Sequence, residues 1–163
     1  MLRFVIGFVV VATGLFALYQ VSEATRHFNV VNEGNALLSG AILRATGVSS
    51  ERSGTTLLFE RGGMQIISEC SAIYVAILFM AGVLAFPTNW RARLVGLALG
   101  LPVLFAVNVL RLVTLGAVIR YRPALLPLFH EYLWQVLFIL IVAGLYLAWI
   151  ERFVPRARSH QPA

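Results

Sequence analysis

Lysine and aspartate are absent from this chain: all thirteen basic side chains are arginine and all seven acidic ones are glutamate. Only 12% of the residues are charged, 60% are hydrophobic and the mean hydropathy is +0.84. That balance excludes a soluble globular fold and makes the chain an integral membrane protein. A single cysteine excludes an intramolecular disulfide, a CxxC redox pair and a cysteine-built zinc cluster, and nothing else in the chain suggests a metal or organic cofactor. The net charge of +6 points to topology, not to a nucleic-acid partner, because the arginines are scattered at helix ends and form no basic stripe. Internal repeats and low-complexity segments are also missing. The 163 residues fit one membrane domain.

What is abundant is long apolar runs. Spanning about 30 Å of hydrocarbon takes about 20 helical residues. Four runs, 4–21, 70–86, 94–119 and 132–150, predict an all-α integral membrane protein, a four-helix transmembrane bundle. Ser22-Glu23-Ala24 has the small-x-small look of a signal-peptidase site. The run before it is longer than the 7 to 15 residues of a typical signal-peptide core, about which an uncleaved first helix is the expectation. Pro102 lies between glycines in the third run and predicts a kink there.

Residues 22–69 form the only long polar segment, an extracytoplasmic insertion between helices one and two. Within it, Asn35 to Thr46 is moderately amphipathic and predicts a helix on the membrane surface, ending at Gly47. Ser49 to Ser53 reads as a turn. Thr55 to Glu60 and Met64 to Ser68 read as two strands of a hairpin joined through Arg61-Gly62-Gly63.

Orientation rests on the arginines. With both termini in the cytoplasm, Arg3, Arg91, Arg93, Arg152, Arg156 and Arg158 lie inside, close to helix ends. Arg26, Arg44, Arg52, Arg61, Arg120 and Arg122 then lie outside, four of them in the long insertion, which the positive-inside rule discounts. The short Arg120–Arg122 pair argues the other way.

One arginine fits neither group. Arg111 lies inside the third run, with Asn108 three residues earlier on the same helical face. An ionisable side chain at that depth costs about 2.5 to 3.5 kcal/mol on insertion scales and marks a functional site by default. Cys70 falls at the outer end of the second helix and His130 at the outer entrance to the fourth. Cysteine, arginine and histidine thus share one side of the membrane on three different helices.

Each also has a structural reading. The cysteine can be a small hydrophobe, the histidine an interfacial polar residue, and Arg111 a packing lock bonded to Asn108 and backbone carbonyls. Glu131 and Gln135 read as solvated and packing residues, with Glu131 a candidate partner for an outer arginine. Phe129, Tyr132, Trp134, Tyr146 and Trp149 fit aromatic belts. Together, though, the three make chemical sense. A thiolate is a competent nucleophile, a cation favours it, and a histidine takes and returns the proton. Arginine stays protonated, so its roles are to hold the thiolate, stabilise an oxyanion or clamp a carbonyl. A Cys/His pair with no following Asp or Asn would be an unusual protease. A non-catalytic scaffold or assembly factor held together by Arg111, and a small transporter with Arg111 as an anion site, are the competing readings.

Glu69-Cys70-Ser71-Ala72, Asn108-Val109-Leu110-Arg111 and Phe129-His130-Glu131, in that order, resemble the motifs of the exosortase/archaeosortase family. The resemblance covers about residues 69–150 and looks closest to a short, exosortase H-like form, since many members have around eight helices. Ala72 stands where glycine is common. The resemblance implies a multi-pass enzyme of the cytoplasmic (inner) membrane, a cysteine peptidase or transpeptidase with its site on the extracytoplasmic face. Cys70 would be the nucleophile, Arg111 the triad arginine and His130 the triad histidine, with Asn108 in support. Its partners would be the lipid bilayer and secreted proteins ending in a short signature, a transmembrane helix and a basic cluster.

Overall fold

The computed structural model describes residues 1–24, 29–60 and 62–154. Five α-helices and a small sheet follow in order: α1 (Leu2–Ala24), α2 (Asn29–Ala45), β1 (Glu51–Ser53), β2 (Thr56–Phe59), β3 (Gly62–Gln65), α3 (Ile73–Ala85), α4 (Trp90–Tyr121) and α5 (Trp134–Phe153). By length and apolar composition three stretches can cross a membrane: 2–22, 90–121 and 123–153. The second run departs from expectation. Its helix begins only at Ile73 and has 13 residues, about 20 Å at helical rise, because a 3₁₀ turn (Ser68–Cys70) and a left-handed residue at Ala72 precede it.

Helix α4 is the spine. Asn89 caps it, its Oδ1 accepting from the Ala92 N–H at 2.8 Å, and the helix runs through Pro102 without ending there. Its glycines set how closely neighbours approach: a Cβ at Gly100 would lie 2.2 Å from the Phe79 ring on α3. One at Gly96 would lie 2.5 Å from Trp149 Nε1 on α5. Small residues at such spacing let membrane helices pack without hydrophobic drive from water. At this end of the bundle Trp149 Nε1 donates to Ala92 O at 2.7 Å, and Tyr146 Oη donates to Gly82 O at 3.0 Å. Trp134 and Trp149 are therefore not belt residues: both are buried inside the bundle. Helix α1 packs chiefly on α3, through Tyr19, Ile73 and Ile77.

The polar segment is folded onto the other end of α4. Helix α2 starts six residues before the predicted Asn35 and does not merely rest on a surface: its polar residues Asn32, Asn35 and Ser39 are buried. Gly47, in the left-handed region at φ 85, follows its last turn. The predicted hairpin exists as β2 and β3, antiparallel with Phe59 opposite Gly62, so Gly62 and Gly63 belong to a strand instead of the turn. Ser49–Ser53 is not simply a turn, since Glu51–Ser53 pairs with β2 and makes a three-stranded sheet. Alternation along β2 buries Leu57 and Phe59 and exposes Leu58. The buried pair packs with Leu43 of α2 and with Leu112 and Ile119 of α4. Glu60 pairs with Arg120 at 2.7 Å, pinning the sheet to the end of α4, and among the described residues Glu131 forms no ion pair. Arg26, Arg61, Arg156 and Arg158, with the turn through Arg61, lie outside the described residues.

Candidate functional site

Cys70 and His130, at the ends of apolar runs, and Arg111, inside one, line two cavities that share His130 at the sheet end of the bundle. Cys70, a half-buried free thiol, closes the 3₁₀ turn that follows β3. The turn satisfies its own backbone: Cys70 N–H donates to Ile67 O at 2.9 Å and Ser71 N–H to Ser68 O at 3.2 Å. Ala72 then reverses the chain into α3 at φ 55, ψ 19. This left-handed conformation costs an L-residue roughly 1–2 kcal/mol and suits glycine. That is the physical reason a glycine fits the position.

Arg111 sits on α4 ten residues before its last residue, about 15 Å along the helix. Its guanidinium carbon lies 5.8 Å from the centre of the Phe138 ring on α5, a cation–π geometry. Its Nε is buried without a hydrogen-bond partner, and the guanidinium is within electrostatic reach of the Cys70 thiol. The bond to Asn108 that a packing role would call for is not made among the described residues. Asn108 Nδ2 instead donates to Asn35 Oδ1 on α2 at 3.1 Å, and both residues are fully buried.

His130 is exposed on a π-helical stretch, Leu128–Leu133, just before α5. Such turns recur at functional sites because they push one side chain out of helical register. His130 and Cys70 line one cavity of about 310 Å³, whose wall includes Met64 and Gln65 of β3. His130 and Arg111 line a second, about 700 Å³, an apolar cleft bounded by α1, α3 and α5 with Glu69 at its rim. The histidine is thus common to both. Among the described residues no hydrogen bond joins the three side chains. Catalytic hydrogen bonds in unliganded sites are commonly long and tighten on binding.

Four residues around the site escaped sequence reasoning. Ser71 hydrogen-bonds Asn32, Asn35 holds Asn108, and Trp134 is buried one turn after His130 beside Phe138. The available signal was the spacing of Asn32, Asn35 and Ser39 at i, i+3 and i+7, a polar stripe on one helical face. Trp134 gave no signal apart from lying four residues after His130.

A family model described as "Transmembrane exosortase (Exosortase_EpsH)" matches residues 2–148. No curated protein and no solved structure matches the chain.

Proposed function

This chain belongs to the transmembrane exosortase family, and on that premise we propose that it is a membrane-embedded cysteine peptidase or transpeptidase acting on C-terminal sorting signals of secreted proteins. Cys70 Sγ attacks the carbonyl carbon of a peptide bond in or beside the signature, and His130 takes the thiol proton. Arg111 offers its guanidinium first to the thiolate and then to the oxyanion of the tetrahedral intermediate. Collapse breaks the C–N bond, His130 protonates the leaving amine, and the membrane tail departs. Water or an amine then attacks the acyl-enzyme carbonyl, giving its proton to His130, and the thiol is regenerated.

The observation that carries this reading is the state of Arg111. It is half-buried in a membrane helix, joined by no hydrogen bond or ion pair among the described residues, and held over Phe138 within electrostatic reach of Cys70. A packing lock would have its polar groups satisfied. An arginine kept in reserve for an anion would not.

The apolar cleft below Arg111 and His130 suits the membrane helix of a substrate, and the cavity walled by β3 suits the signature. Both termini on the cytoplasmic side of the inner membrane put the site on the extracytoplasmic face. The test is processing of a tagged candidate substrate ending in signature, helix and basic cluster, co-expressed with wild type or Cys70→Ala at matched membrane abundance. Tail removal by the wild type alone is expected. Equal removal by both would end the thiol mechanism.

A further inference from the structure

The turn that bears Cys70 is held from behind by a helix that contributes nothing to the triad. Ser71 is buried, and its hydroxyl donates to Asn32 Oδ1 on α2, with Ile67 O as second acceptor at 3.2 Å. Three residues along α2, Asn35 Nδ2 donates to Val31 O of its own helix at 3.0 Å. That fixes the amide so that its Oδ1 accepts from Asn108 Nδ2 at 3.1 Å. Asn108 precedes Arg111 by one turn of α4. Positions 32 and 35 are neighbours on one helical face, so that face is tied at one point to the Cys70 turn and at the next to the Arg111 helix.

All four polar residues are buried. Hydrogen bonds in such surroundings are directional and costly to leave unmade, whereas apolar packing is non-directional. The turn also has a reason to need holding. Ala72, two residues after Cys70, sits in a left-handed conformation that relaxes unless its surroundings fix it.

We infer that α2 is the positioning element of the site. Asn32 acting through Ser71, and Asn35 acting through Asn108, set the separation of the Cys70 thiol from the Arg111 guanidinium. The inference rests on Cys70 and Arg111 acting as a pair, as proposed above. Asn32, Asn35 and Ser71 are positioning residues, acting through the thiol and the guanidinium and not on substrate.

The single thiol makes the test direct, because alkylation of the full chain in detergent by iodoacetamide reports on Cys70 alone. Alkylation rates would be measured for wild type, Asn32→Ala, Ser71→Ala and Ser71→Thr, each with Arg111 present and with Arg111→Gln. Ser39→Ala serves as packing control, since this buried α2 hydroxyl has no hydrogen-bond partner among the described residues. Asn32→Ala and Ser71→Ala should slow alkylation about fivefold, and Arg111→Gln should cost far less in those backgrounds than in the wild type, the mark of coupled positions. Ser71→Thr and Ser39→Ala should keep the wild-type rate. Wild-type rates in Asn32→Ala and Ser71→Ala would overturn the inference. So would a slowing of equal factor with and without Arg111, or a wild-type rate indifferent to Arg111. Should Asn32→Ala fail to yield a monodisperse protein, Ser71→Ala, which removes one oxygen, decides alone. No substrate is involved, so this inference and the thiol mechanism fail by different measurements.

Discussion

Asn108 and Arg111 share a face of α4, yet Asn108 turns away from the arginine and bonds Asn35 of α2 at 3.1 Å. The consequence is a division of labour within one helical turn. The asparagine is spent on structure, and the arginine, over Phe138, is left unbonded.

The two should therefore fail differently. Asn108→Leu strands the buried Asn35 oxygen and should lower stability by about 1–3 kcal/mol, read as a drop in thermal midpoint in detergent. Arg111→Gln should leave the unfolding free energy within about 1 kcal/mol of wild type and cut processing by about a hundredfold or more. Parallel loss of abundance in Arg111→Gln would return the residue to a packing role.

Ala72 is strained where it stands. Ala72→Gly should stabilise by up to about 1 kcal/mol, since relief of the left-handed conformation exceeds the extra chain entropy glycine loses on folding. Ala72→Val should destabilise by more than about 2 kcal/mol, because a β-branched side chain is a true outlier at positive φ. Denaturant or thermal unfolding of both variants checks the sign.

Close approach at Gly100 leaves no room for a methyl group. Gly100→Ala should cost about 1–3 kcal/mol by forcing Phe79 off its place. Gly14→Ala on α1, with nothing within 4 Å of the added carbon, should be neutral or slightly stabilising. Equal midpoints for the pair would contradict the packing described.

Strand β3 supplies Met64 and Gln65 to the cavity that holds Cys70 and His130. Grafting the segment 29–65 from a related enzyme should move preference among substrate signatures while the rate on the best substrate of each stays within about tenfold. Unchanged preference would remove this segment from substrate selection.

Arg111 stands out in the sequence because it interrupts a run that lipid would otherwise keep apolar, whereas Cys70 and His130 stand at the ends of runs and draw attention only in company with it. The same logic hides α2: Asn32, Asn35 and Ser39 sit in a stretch polar enough to read as solvated, whereas the structure buries that face. In a membrane protein the exposed surface can be the apolar one, and Val30, Leu37 and Leu38 of α2 are exposed. Strand β1 is three exposed residues whose only reason to be extended is β2 beside it. Ala72 was illegible for another reason: alanine carries no left-handed signal, and only the turn around it imposes one.

A helix of 13 residues is about 10 Å shorter than a hydrocarbon layer of about 30 Å. Set across such a layer, α3 would leave the Cys70 turn short of one face by about that difference. Mismatch of this size is met by thinning the surrounding bilayer, at fractions of a kcal/mol per Å. For a chain so placed, acyl-chain length would bear on how much water reaches the thiol.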